Sequence, residues 1–144
     1  MKLTKGKKIY FASDNHLGAP NFEESLVREK KFVSWLDTVK KDADAIFLVG
    51  DIFDFWFEYK QVVPKGFTRI LGKIAEITDS GIPIHLFVGN HDMWLVDYFE
   101  KELNLIVYKN PKELNINSKV FLIGHGDGLG PGDSSFKRMK KVFR

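Results

Sequence analysis

Short, strongly apolar runs alternate with longer amphipathic ones along this chain, and that alternation limits the fold more than any other feature. The segments "KIYFAS" (8–13), "AIFLVG" (45–50) and "IPIHLFVG" (82–89) read as strands, apolar at successive positions rather than alternate ones. Strands of that kind are buried on both faces, which is the pattern of a parallel sheet. Residues 22–40 have helical periodicity, with Leu26, Phe32, Val33, Trp35, Leu36 and Val39 on one stripe. A second helix is expected over 64–80, with Pro64 in its first turn and Gly81 at its C-terminal cap. The order βαβαβ predicts an α/β domain built on a mostly parallel sheet. A third helical stretch (93–103) leads into shorter strands at 105–109, 113–117 and 119–124, the last two joined by a turn at "INSK".

The 144 residues show no repeat, linker or low-complexity tract, so 1–144 reads as one domain. At 44% apolar with 13 Phe, the chain has core-formers enough to fold. It contains no cysteine, so disulfides and thiolate metal sites are excluded, and any metal must be held by oxygen and imidazole. The N-terminal apolar run, Ile9 to Ala12, is too short for a signal peptide. No stretch approaches the roughly 18 apolar residues of a membrane span, so a soluble cytoplasmic protein is expected. The net charge of +3 gathers at the ends, in Lys2, Lys5, Lys7 and Lys8 and in "FKRMKKVFR". That bias suits anionic partners, and equally a solvated surface. Phe136, Met139 and Val142 or Phe143 stand at helical spacing among the basic residues, as in a helix resting on an anionic membrane or simply a helix with a solvated face.

The unusual polar residues fall where the strands end. Strand one runs into "SDNHLG", strand two into "GDIFD", strand three into "GNHD" and the late strand into "GHGDGLG". In open α/β sheets ligands bind beyond the carboxyl ends of the strands. Asp14, His16, Asp51, Asp54, Asn90, His91, Asp92, His125 and Asp127 are thus delivered toward one rim. Each motif alone is ordinary turn chemistry. Four of them, each with a glycine and each after a β-type run, point to a site. Carboxylate, imidazole and amide oxygen suit Mn²⁺, Fe²⁺, Mg²⁺ or Zn²⁺, and a carboxylate between two such ions can bridge them while they activate a water.

In order and spacing, "DNH" (14–16), "GDIFD" (50–54), "GNHD" (89–92) and "GHGD" (124–127) resemble the calcineurin-like metallophosphoesterases, over residues 8 to about 133. More narrowly, "GDIFDFWFEY" and "GHGDGLGPGD" are similar to the branch of UDP-2,3-diacylglucosamine hydrolases in lipid A synthesis. The resemblance implies an α/β sandwich and two divalent ions, Mn²⁺ foremost, with Fe²⁺, Mg²⁺ or Zn²⁺ as alternatives. It implies Asp14 and His16 on the first ion, Asp51 as bridge, and Asn90 and His125 on the second. Asp54 would orient the site, His91 would assist at the transition state or leaving oxygen, and Asp92 would orient His91. A metal-bound hydroxide would attack phosphorus, giving UMP and lipid X from the UDP-diacyl sugar. No nucleic-acid partner is implied.

Two departures accompany the resemblance. The Gram-negative hydrolases of that branch carry Arg where this chain has His91, which matches the wider family instead. The closing G-H-x-H motif is absent, since no His follows His125. The expectation is therefore the N-terminal portion of such a domain, 1–144, truncated before its last ligands and weak in metal binding. Exposed apolar surface and self-association are expected with it. The alternatives are another phosphoesterase of the family, acting on a nucleotide or phosphoprotein, and a silent domain binding lipid or a partner. His85, inside a strand, is expected to be packed or paired. Phe55, Trp56 and Phe57 belong either to the core or to the wall of an acyl groove, and their exposure decides between the two.

Overall fold

The structure, a computed structural model, describes residues 1–127. The basic stretch 135–144 lies outside the described residues. In chain order the elements are β1 (Lys8–Ala12), α1 (Phe22–Val39), β2 (Ala43–Val49), α2 (Thr68–Asp79), β3 (Ile84–Phe87), α3 (Tyr98–Lys101), β4 (Ile106–Tyr108), β5 (Lys112–Ile116) and β6 (Lys119–Ile123). Strands β1 to β4 form a parallel sheet in sequence order, and β5 and β6 form a separate antiparallel hairpin.

The continuous apolar runs are explained by cover on both faces. Ile46 and Leu48 of β2 pair in register with Ile84 and Leu86 of β3. This layer packs on Phe32, Leu36 and Val39 of α1 and on Ile70, Ile74 and Ile77 of α2. The intervening residues Ala45, Phe47 and Phe87 point the other way and meet Ile123 of β6. That second face is less covered: Phe11 and Ile106 are exposed at its flanks, and Val120, Phe121 and Leu122 are exposed on β6. His85 lies in this layer as a packed residue, stacked on Phe47 with centroids 4.4 Å apart and with Nδ1 3.0 Å from the Tyr108 hydroxyl.

Two helices depart from expectation. The second begins at Thr68 rather than near Pro64, because Gly66 and Phe67 take left-handed backbone angles of +105° and +57° and turn the chain first. Its N-terminus is capped from another helix: Oε1 of the buried Glu29 accepts from Arg69 N at 3.0 Å and Ile70 N at 3.1 Å. The stretch 93–103 is helical only over Tyr98–Lys101, because Trp94 bridges to Phe57 and Glu58 takes the Asp97 and Tyr98 amides. The hairpin turn falls at Asn117 and Ser118, both with positive φ, the geometry that suits a two-residue hairpin loop. No helix among the described residues is long and apolar enough to cross a membrane.

Candidate metal centre

All four parallel strands end at one edge, and the loops beyond them stay tied together. The Asp14 amide donates to Gly50 O at 3.1 Å, His16 N to Asp51 O at 3.0 Å, and Leu17 N to Ile52 O at 3.0 Å. Asp14, His16 and Asp51 all hold left-handed φ, at +54°, +42° and +51°. Non-glycine residues in that region are uncommon and persist where surroundings enforce them. Helix α1 supplies part of the enforcement. Arg28 donates to the carbonyls of His16 and Ala19, and Ser25 Oγ accepts from Gly18 N at 2.7 Å.

Asp51 is the hub. Its buried carboxylate places Oδ2 3.2 Å from His125 Nε2 and 3.9 Å from His16 Nε2. His125 Nε2 is also 3.2 Å from Asn90 Oδ1. Donors of Asp14, His16 and Asp51 lie within 4.8 Å of one another, as do those of His16, Asp54 and His91. Around a cation with metal–oxygen distances near 2.1 Å, adjacent octahedral ligands are separated by about 3.0 Å. The contacts at His125 match that edge.

Each imidazole has one nitrogen committed. His125 Nδ1 lies 3.1 Å from Val49 O, and His91 Nδ1 lies 2.9 Å from Asp54 O. A carbonyl can only accept, so Nδ1 carries the proton in both rings and Nε2 remains for the site. His16 Nδ1 sits 3.2 Å from Asp54 Oδ1, leaving its Nε2 toward Asp51. Anchoring of this kind is what orients imidazole ligands. Space is reserved as well: a Cβ on Gly89 would fall 2.1 Å from Asp51 Oδ1, and one on Gly50 would fall 2.5 Å from the His125 ring. The donor set, its spacing and this clearance fit divalent cations held by Asp14, His16, Asp51, Asn90 and His125.

The charges are strongly coupled. The hydrogen bond that the Asp51 carboxylate accepts from the ring outweighs burial and raises the His125 imidazole to about 9. Burial opposes ionisation of Asp51, but the His125 bond and the His91 amide prevail and hold its carboxyl below the ordinary range. Asp92 is different: burial pushes it up, against the opposing backbone bond from Gly89.

The site residues expected from sequence converge, with one reassignment. Asp54, expected to orient the site, sits between two rings, its Oδ1 3.2 Å from His16 Nδ1 and 3.5 Å from His91 Nδ1. Asp92, expected to orient His91, instead accepts from Ile52 N at 3.0 Å and Gly89 N at 2.7 Å. The ring of His91 is held by Asp54, one loop away. Trp56 is fully buried and belongs to the core, whereas Phe55 is 56% exposed and Phe57 46%. Arg28 and Ser25 were not legible as site residues, because on α1 they read like any other polar positions. Gly50 and Gly89 carried a signal in their place beside the acids.

A family model described as calcineurin-like phosphoesterase matches residues 7–141. The chain belongs to this family. Calcineurin-like metallophosphoesterases use divalent metal ions, in keeping with the cluster at Asp51. A relative from Porphyromonas gingivalis, named UDP-2,3-diacylglucosamine hydrolase, is 48% identical over 120 residues, covering 83% of this chain and 46% of the relative. A protein of the same name from Vibrio parahaemolyticus is 28% identical over 134 residues, 92% of this chain and 52% of that one. The chain thus spans about half the length of the curated relatives it matches. A crystal structure of a protein of unknown function from Aquifex aeolicus superposes with a TM-score of 0.58 at 18% identity, covering 99% of this chain and 70% of that one, a likeness of fold.

Proposed function

We propose that this chain carries the cation-binding core of a hydrolase that cleaves the pyrophosphate of a UDP-linked diacyl sugar, giving UMP and a diacyl sugar phosphate. The observation that carries the reading is Asp51 Oδ2 standing between His125 and His16, at 3.2 and 3.9 Å, at the rim of a phosphoesterase-family fold. The names of the similar proteins supply the substrate class.

Asp14, His16, Asp51, Asn90 and His125 would hold two divalent ions, with Mn²⁺ proposed first. When bound, such ions polarise phosphoryl oxygens and make water a better nucleophile near neutral pH. The protein's own groups handle position and protons. Asp54 holds the His16 and His91 rings from behind, through its carboxylate and its carbonyl, and the doubly protonated imidazolium form of His91 would pass its Nε2 proton to the oxygen that leaves phosphorus while Nδ1 keeps its own. Asp51 keeps its negative charge at the point where the two halves of the centre meet.

Beside the centre, Phe55 and Trp94 lie 5.5 Å apart between centroids, with Phe57 bridged to Trp94 and Val96 exposed next to it. This apolar wall is proposed to receive an acyl chain. The reading places the protein in the cytoplasm, at an anionic membrane when it takes up substrate. The exposed apolar residues of β6 and the open sheet face are proposed sites of self-association in residues 1–144.

The test is Mn²⁺-dependent release of UMP from UDP-2,3-diacylglucosamine. Simple nucleotide diesters serve as competing substrates. UMP release confined to the diacyl sugar supports the reading; equal or better hydrolysis of the diesters moves the protein to another activity of its family.

A further inference from the structure

Asp92 is an aspartate with no exposed surface, in a position where an unpaired carboxylate would be very costly. Both of its oxygens are engaged. Oδ2 accepts from Ile52 N at 3.0 Å and Oδ1 from Gly89 N at 2.7 Å. Ile52 follows Asp51, and Gly89 precedes Asn90. The loop after β3 receives a bond in return, because Asp51 Oδ1 accepts from His91 N at 3.0 Å. The two loops have therefore exchanged carboxylates, each aspartate taking an amide of the other's loop.

That exchange has a geometric purpose. Asp51 and Asn90 come from different strands, yet each must bring an oxygen to 3.2 Å from the same His125 nitrogen. A tolerance of about 0.5 Å separates a working metal or catalytic constellation from a loose one. Gly89 allows the close approach, and a carboxylate bonded to both backbones fixes it. We propose that Asp92 is a positioning residue that sets the Asp51–Asn90 separation by clamping the amides of Ile52 and Gly89. This role rests on the metal-centre reading above and is distinct from orienting His91, whose ring Asp54 holds.

The experiment pairs the unchanged chain with Asp92→Asn, nearly the same shape but with one acceptor oxygen replaced by a donor that faces a backbone N–H. Mn²⁺ binding is read by calorimetry and by electron paramagnetic resonance, and folding by circular dichroism. Asp92→Asn is expected to keep its helical signal, to bind Mn²⁺ about 10–100-fold more weakly, and to replace the exchange-coupled signal of paired ions with that of isolated ones. Equal affinity and an unaltered coupled signal in the variant overturn the clamp. Amide hydrogen exchange of the unchanged, metal-free chain gives a second reading that needs no variant. Ile52 and Gly89 are expected to exchange as slowly as the amides of β2, and rapid exchange at either overturns the proposal. Should the unchanged chain bind no Mn²⁺, the metal-centre reading fails, and the exchange rates still decide whether Asp92 holds the two loops.

Discussion

His16 and His91 meet edge to face with ring centroids 4.7 Å apart, and the Nδ1 atoms of both lie within 3.5 Å of a single oxygen, Asp54 Oδ1. The carboxylate bonds the candidate ligand His16, and the backbone carbonyl of the same residue holds the candidate proton donor His91 at 2.9 Å. Asp54→Ala is expected to weaken Mn²⁺ binding about 10–100-fold through His16 while the carbonyl at position 54 keeps the His91 ring in place. Asp54→Asn, which keeps an acceptor oxygen, is expected to be milder. His91→Ala is expected to cut kcat by about 10²–10⁴-fold while leaving Mn²⁺ binding in place. Calorimetry and UMP release, measured on the same three variants, separate these outcomes.

The two glycines beside the centre give a steric prediction. Alanine at 89 would put Cβ 2.1 Å from Asp51 Oδ1, and alanine at 50 would put it 2.5 Å from the His125 ring, on a backbone at φ +80°. Each substitution is expected to destabilise the fold by about 1–3 kcal/mol and to abolish metal binding. Gly72 lies within α2 with open space around its Cβ position, so Gly72→Ala is expected to stabilise by about 0.5–1 kcal/mol. Urea denaturation of the three proteins checks the contrast.

His85 sets a pH dependence away from the metal centre. Burial lowers its pKa below the ordinary imidazole value, so the folded protein keeps it neutral while the unfolded chain can charge it. The unfolded state then binds the extra proton below about pH 6.5. Stability from this group is full above that pH and declines as the pH falls toward the lowered folded value. In His85→Phe, which keeps a ring between Phe47 and Tyr108, that part of the acid sensitivity is expected to vanish. Melting temperatures of both proteins between pH 5 and pH 8 supply the comparison, and parallel curves would contradict it.

Phe55 and Trp56 are neighbours in sequence with opposite surroundings, 56% exposed and fully buried. Trp56→Ala is expected to cost about 3–5 kcal/mol of stability. Phe55→Ser is expected to leave the melting temperature nearly unchanged while raising KM for a long-chain diacyl substrate more than for a short-chain one. A KM that ignores chain length would remove the acyl wall from the proposal.

The sheet and the centre were legible because their signals are local. Runs such as Ala45–Val49 declare burial on both faces, and the acids stand directly after them. The start of α2 was not legible, because its cap is Glu29, some 40 residues earlier in sequence and reached only through folding. The same holds for the 93–97 segment, whose Asp97 amide is taken by Glu58 and whose Trp94 pairs with Phe57. Asp92 shows the limit most clearly. The family resemblance implied a tie to His91, yet the side chains of consecutive residues diverge, and the Asp92 carboxylate found backbone amides instead.

His125 is the one candidate ligand, among the described residues, that follows the β5–β6 hairpin rather than the parallel sheet. Its ring spans the gap, with Nδ1 on the carbonyl of Val49 and Nε2 toward Asp51 and Asn90. An ion held by these residues would add a rivet between two layers otherwise joined by a small apolar seam and by the His125 bonds, so loading the centre should stiffen the hairpin further.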